Sequence, residues 1–185
     1  MIERQRKIIL VSLFAALTAI GSFIKIPFPY VPLTLQTLFV ILSGDILGPK
    51  YAAYSQILFL LLGLIGLPVF AYGGGIGYVV QPSFGYLLAY PFGAYVIGKL
   101  MSKSKEYTKR YFFITTSIIN FIGILVIFTI GVLYLYLNLK YIVGEDIGIH
   151  KALWSGFIVF IPGDILKVLL ASWLTIKLKA YMNTY

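Results

Sequence analysis

Between Lys50 and Lys99 the chain runs for 48 residues without a single charge. One membrane-spanning helix uses roughly 20 apolar residues. The run is therefore too long for one span and suits two, with a connection between them. Composition agrees. The chain is 60% hydrophobic and only 11% charged, against about 45–50% and about 25% in soluble domains. Mean hydropathy is +0.94. These values argue against a soluble globular domain, a disordered chain and a nucleic-acid-binding domain. The expectation is an all-α, polytopic membrane protein with six transmembrane helices and re-entrant or covering outer loops. Six spans use about 120 residues, leaving about 65 for connections and tails. Residues 1–185 then form a single integral-membrane domain, with no room for a soluble catalytic domain.

Charges and helix breakers mark the segments. Residues 8–24 are uncharged and form the first helix. Arg4, Arg6 and Lys7 before this run give it some look of a signal peptide. The hydrophobic chain beyond favours retention as a first span. Pro27, Pro29 and Pro32 then exclude helix, because proline lacks an N–H and clashes with the preceding turn. A short second helix is expected over residues 33–47, broken by Gly48 and Pro49, and a third over 51–67. An uncharged glycine-rich loop follows, with Gly66, Pro68, Gly73, Gly74, Gly75, Gly77 and Pro82. Its aromatic residues suit a loop folded against the helices, covering or lining a cavity. The fourth helix covers residues 85–101. A basic linker with Lys103, Lys105, Glu106, Lys109 and Arg110 leads to a fifth over 111–139. After a polar link at 140–151, carrying Glu145, Asp146 and His150, the sixth covers 152–176. Pro162, Gly163 and Asp164 interrupt it.

The chain carries fifteen Lys or Arg against six Asp or Glu, a net charge of +9. With six spans, eleven of the basic residues fall on one side, in the tails and the second and fourth linkers. Lys25, Lys140 and Lys151 fall on the other, and Lys167 lies inside a helix. An excess of Lys and Arg marks cytoplasmic loops, so both termini are expected in the cytoplasm of a cell-membrane protein. The proline segment, the glycine loop and the 140–151 link then lie outside. The basic charge needs no nucleic acid to explain it; the lipid bilayer accounts for it.

Asp164 and Lys167 are the first candidates for chemistry. They sit three residues apart within the sixth apolar segment, hence on one helix face. Ionisable groups inside a span are costly and normally face protein or a water-filled cavity. The pair is either a self-neutralising ion pair that pins the helix or an anchor for a polar ligand. Pro162 and Gly163 favour the anchor, because they free backbone groups beside the pair, as in the broken helices of transporters. The glycine loop is either a tight surface turn or a pocket wall. It carries no dinucleotide-binding fingerprint, since the glycine spacing is wrong. Ser12 with Ala16, Ala15 with Ala19, Ala89 with Gly93, and Ala94 with Gly98 fit small-residue helix contacts. Asp45 reads as an interfacial cap or a partner of Lys50, and His150 as solvated. Asn120 and Gln56 read as interhelical hydrogen-bonding residues.

Four stretches, in order along the chain, resemble the BioY family. They are Ile26-Pro27-Phe28-Pro29-Tyr30-Val31-Pro32-Leu33-Thr34-Leu35-Gln36, Gly63 to Phe70, Pro82 to Leu87, and Phe160-Ile161-Pro162-Gly163-Asp164-Ile165-Leu166-Lys167. The family comprises the biotin-specific substrate-binding (S) components of energy-coupling-factor (ECF) vitamin transporters. The resemblance implies a six-helix protein that binds biotin from the outer face and works with a transmembrane coupling subunit and two ATPase subunits. Biotin is then a transported substrate, and no cofactor or metal is expected. The family's acidic and lysine ligands map onto Asp164 and Lys167. The substrate-binding set extends to Tyr86, Tyr78, Phe28 and Tyr30, which could flank the ring system, and to Gln81, Gly73, Gly74 and Gln36. Ala15 and Ala19 match the face that contacts the coupling subunit. At one point the chain departs from the family pattern: Phe84 stands where a glycine is expected.

Two other readings remain open at this level. One is an S component for another water-soluble vitamin; the other is a small membrane-embedded enzyme. Against the enzyme stand a single histidine, no cysteine and no GxS nucleophile motif. The chain also lacks a Walker A sequence, so ATP hydrolysis by a P-loop must come from elsewhere.

Overall fold

The computed structural model of the chain describes residues 2–104, 108–145 and 147–182. Lys105, Glu106 and Asp146, named above in the linkers, lie outside the described residues. Seven α-helices dominate: α1 (Ile2–Phe23), α2 (Gln36–Leu47), α3 (Pro49–Leu64), α4 (Phe84–Met101), α5 (Lys109–Asn138), α6 (Ile149–Gly156) and α7 (Ile161–Met182). The last two divide the expected sixth segment, so six helical segments of the sequence account for the seven helices among the described residues. Three stretches are long and apolar enough to cross a membrane by themselves: Gln5–Phe23, Lys109–Val143 and Ile149–Lys179. The twelve-residue α2 is only about 18 Å long.

Three boundaries differ from expectation for physical reasons. Leu33 and Thr34 do not begin the second helix. They form strand β2 (Leu33–Thr34), antiparallel to β1 (Lys25–Ile26), and the proline segment is the loop of this small hairpin. Proline cannot donate to a ladder, and all three prolines lie between the paired residues. The break in the last segment also falls earlier than expected. A 3₁₀ turn at Ile158–Phe160 separates α6 from α7. Pro162 sits in the first turn of α7, where no intrahelical N–H bond is needed. Asp164 thus lies in that first turn as well, where a negative charge is favoured by the helix dipole. Third, α1 extends back to Ile2, through the basic residues.

The remaining ends follow ordinary rules. Pro49 opens α3 after Gly48, which has φ 75°. Thr108 caps α5 by accepting from the Tyr111 amide at 3.2 Å. α5 runs into a π-helical turn at Leu139–Val143, closed by Gly144 in the left-handed conformation.

α2 packs on α1, α3, α4 and α7, while α4 and α5 share the most extensive contact. Small residues let α4 and α5 approach. A Cβ on Gly93 would lie 2.6 Å from Ile127, and one on Gly123 would lie 2.2 Å from Ile97. Each glycine accepts an isoleucine of the other helix, and Ala89 and Ala94 are fully buried. Buried polar residues bridge helices as expected for Gln56: Thr18 donates to its Oε1 at 3.3 Å, and its Nε2 donates to Ser43 at 3.3 Å.

Asp45 is neither an interfacial cap nor a partner of Lys50. It is 4% exposed and accepts hydrogen bonds from Asn120 of α5 and Thr175 of α7. Its burial follows from α2 being packed among α1, α3, α4, α5 and α7.

Candidate functional site

The expected pair forms. Asp164 and Lys167 are buried, at 4% and 6% exposure, and Lys167 Nζ lies 2.5 Å from Asp164 Oδ1. Two further acceptors complete the ammonium. Lys167 donates to the Thr34 carbonyl at 3.0 Å and to Thr37 Oγ1 at 2.7 Å. Thr37 in turn donates to Asp164 Oδ1 at 3.2 Å. A lysine ammonium has three N–H donors, and all three are used. Every one of these contacts to Asp164 falls on Oδ1. Oδ2 accepts no hydrogen bond among the described residues.

The hairpin positions this cluster. The register that pairs Lys25 with Thr34 ends β2 just before α2 begins, so the Thr34 carbonyl and the Thr37 side chain both face the start of α7. Beside the pair lies a cavity of about 40 Å³, lined by Val31, Pro32, Thr34, Thr37, Tyr86, Tyr90, Phe128, Phe160, Asp164 and Lys167 among others. It is aromatic on one side and charged on the other. Pockets that enclose small ligands measure about 300–1,000 Å³. Taking in a ring-bearing molecule thus requires its walls to move.

Tyr86 is held from two sides. Its hydroxyl donates to the Gly156 carbonyl at 2.7 Å, at the break before α7. Its ring lies against Gly131, where a Cβ would come within 2.4 Å of Tyr86 Cδ1. Gln36, 2% exposed, stands one layer behind the cavity. Its Oε1 accepts from Thr34 Oγ1 at 3.1 Å and from Tyr90 at 3.4 Å. Its Nε2 is buried without a hydrogen-bond partner among the described residues. An unpaired donor thus accompanies the unpaired acceptor of Asp164.

The other expected residues surround the cavity at a distance. Phe28 meets the cavity-lining Phe160 edge-on, with centroids 5.6 Å apart. Tyr30 donates to Glu145 at 2.8 Å, joining the proline loop to the α5–α6 link. That carboxylate pushes the Tyr30 phenol pKa above its ordinary value, chiefly through the hydrogen bond. Gly73, Gly74, Tyr78 and Gln81 do not line the cavity. Gly73 has φ 119°, and a Cβ on Gly74 would lie 2.0 Å from the Leu67 carbonyl oxygen. These glycines therefore serve the fold of the loop, which is pinned to α3 by the Gly75 amide donating to Gly63 at 2.7 Å. Tyr78 is buried against Phe70, centroids 4.7 Å apart, and Gln81 is exposed. The loop is tied to its neighbours. Lys25 donates to the Ala71 carbonyl and lies over the Tyr72 ring, and Asn138 donates to Val80.

On α1 the small-residue face is shifted from expectation. Ala15 is 2% exposed, inside the bundle, and Ala19 is half-buried. Neither is openly presented to another subunit; the overlapping pair Ser12 and Ala16 is exposed. The reason is the phase of the helix, which turns Phe14, Ala15 and Thr18 inward.

Thr37, Tyr90, Phe128 and Phe160 were not legible as site residues. Thr37 follows Gln36 directly, but which of them faces Lys167 depends on where α2 starts, and that start is displaced by the hairpin.

A bundle of apolar helices with an acid, a lysine and aromatic side chains around a buried cavity defines an integral membrane protein built to hold a polar small molecule. The chain belongs to the BioY family, whose model it matches over residues 2–184. It is 46% identical over 133 residues to a protein of Lysinibacillus sphaericus described as a probable biotin transporter BioY. That alignment covers 72% of this chain and 66% of the relative. It is 35% identical to the biotin transporter BioY of Thermotoga maritima, over 94% of this chain and 96% of that one. Among solved structures it matches the S-component for biotin from an ECF-type ABC transporter, with TM-score 0.84 and 30% identity. The match covers 96% of this chain and 93% of the other.

Proposed function

We propose that this chain is a biotin-binding S component, a single membrane domain that captures biotin at the outer face of the cell membrane. The observation that carries this reading is an unused acceptor, Asp164 Oδ2, beside the cavity, with an unused donor, Gln36 Nε2, one layer behind it. Asp164 Oδ2 can only accept while ionised, and Gln36 Nε2 can only donate. Biotin's ureido ring offers both complements, two N–H donors and one carbonyl acceptor. Its apolar bicycle suits Tyr86, Tyr90, Phe128 and Phe160. Lys167, saturated by protein acceptors, orients Asp164 and reaches the ligand only by exchanging a partner.

Family membership supports delivery of the ligand inward together with an ECF coupling subunit and two ATPase subunits. The exposed pair Ser12 and Ala16 on α1 is the surface we assign to that contact, and the basic N-terminus and linkers support cytoplasmic termini. The relatives are described as transporters and the solved structure as a transporter component, which favours transport over catalysis.

Isothermal titration of the purified, detergent-solubilised protein with biotin and a panel of other water-soluble vitamins tests the reading. Tight binding of biotin alone is the expected result. Preference for another vitamin would keep the S-component assignment and overturn the ligand; no binding of any would overturn both. Native mass spectrometry for co-purified biotin gives an independent check.

A further inference from the structure

α2 and α7 run parallel and meet through polar side chains twice. The outer meeting joins Thr37 to Asp164 and Lys167. Eight residues on along each helix, about 12 Å by the helical rise, lies an inner meeting that the ligand site does not use. There Thr175 donates to Asp45 Oδ2 at 2.6 Å. Asn120 of α5 donates its Nδ2 to the same oxygen at 3.1 Å and to Ser172 at 3.2 Å. Asn120, Thr116, Ser172 and Thr175 are fully buried and Asp45 is 4% exposed.

The two meetings differ in charge. Asp164 has a lysine at contact distance. Asp45 has no ion pair among the described residues. Lys179, four residues beyond Thr175, acts on it through space, with its Nζ 4.8 Å from the centroid of the Phe112 ring. The inner meeting also leaves polar atoms unpartnered. Asp45 Oδ1, Asn120 Oδ1 and Thr116 Oγ1 are all buried without a hydrogen-bond partner. Thr116 and Asn120 are four apart on α5 and so share a face. Leaving one such acceptor unmade is costly inside a protein, and a buried unpaired carboxylate costs more.

We propose that this α2–α5–α7 junction is a monovalent-cation site, with Asp45 Oδ1, Asn120 Oδ1 and Thr116 Oγ1 as ligands. All three are oxygens, the ligand type that hard cations take. The single carboxylate balances one positive charge, and among the described residues no second acid joins this junction to balance two. A water molecule would satisfy the same three atoms but would leave the charge of Asp45 uncompensated in the bundle interior. A proton on Asp45 Oδ1 would remove the charge and supply a donor, but would leave stability independent of cation identity.

The test is the thermal stability of the purified full chain in detergent, with sodium chloride exchanged for choline chloride at constant ionic strength and repeated at several pH values. Sodium is expected to raise Tm saturably, by about 4 °C at roughly ten times the half-saturating concentration. Asp45→Asn is expected to abolish the sodium response while remaining folded in choline. Should that variant fail to fold, Thr116→Val carries the test, with half-saturation expected about tenfold higher. Equal Tm in sodium, potassium and choline would overturn the proposal in favour of a bound water. A Tm that follows pH but not cation identity would overturn it in favour of protonation. A sodium response unchanged in Thr116→Val would also overturn it.

Discussion

Thr37 Oγ1 accepts from Lys167 Nζ at 2.7 Å and donates its own hydrogen bond to Asp164 Oδ1 at 3.2 Å. One hydroxyl thus fixes both charges of the outer cluster from a different helix. Hydrogen bonds to charged groups contribute about 1.5–3 kcal/mol. Thr37→Val should weaken biotin binding by about ten- to a hundredfold, as read by isothermal titration. Wild-type affinity in this variant would show that the cluster does not position the ligand.

Asp164 and Lys167 neutralise each other in a buried setting. Removing one partner of such a pair costs about 3–5 kcal/mol, whereas removing both can be nearly neutral. Asp164→Asn and Lys167→Met should each lower Tm markedly, while the double variant recovers most of the loss. Binding should be abolished in Asp164→Asn and in the double variant alike. A double variant that recovered stability and also bound biotin would remove Asp164 from the site.

Tyr30 and Glu145 join two outer segments, the proline loop and the α5–α6 link. Because the cavity is smaller than a ring-bearing ligand needs, we expect these segments to part. Tyr30→Phe should speed biotin release by about threefold, measured by a chase with unlabelled biotin. The phenol donates only while protonated, and its pKa is raised by the bond to Glu145. The contact is therefore complete below the ordinary tyrosine value of about 10 and lost as pH rises through the raised one. Release from the wild type should accelerate over that alkaline range and release from Tyr30→Phe should not. Matching profiles would mean that the bond is no latch.

Gly131 gives the Tyr86 ring its place, with a Cβ there only 2.4 Å from Cδ1. Overpacking of this kind costs about 1–3 kcal/mol. Gly131→Ala should lower Tm by about 5 °C and weaken biotin binding together, by displacing Tyr86. Gly148→Ala is the control, since nothing lies within 4 Å of its added Cβ. Equal behaviour of the two variants would refute the role given to Gly131.

Much of the fold was open to inspection of the chain alone. Uncharged runs bounded by Lys50, Lys99 and Arg110 marked the helices, because lipid excludes charge from a span. Asp164 and Lys167 stand out for the same reason, and their three-residue spacing alone puts them on one helix face. Helix length and proline position also follow local rules, yet the break before α7 was misplaced. Pro162 resembles an interruption but serves as a first-turn residue.

What local sequence could not decide is which residues of different segments meet. Nothing in the spacing of Thr34, Gln36 and Thr37 says that a two-residue hairpin delays the start of α2 and turns Thr37 toward Lys167. Nor could the sequence reveal that Asp45, close to the end of a helix and to Lys50, is buried among Asn120, Ser172 and Thr175 from two distant helices. The glycine loop shows the same limit: its composition left a surface turn and a pocket wall both open, and only the packed chain shows its glycines serving φ and close backbone approach. Hydropathy is a property of each residue, so the sequence determined the class of protein and its charged anchor. The partners of those charges come from helices over a hundred residues apart, and only the packing of the bundle brings them together.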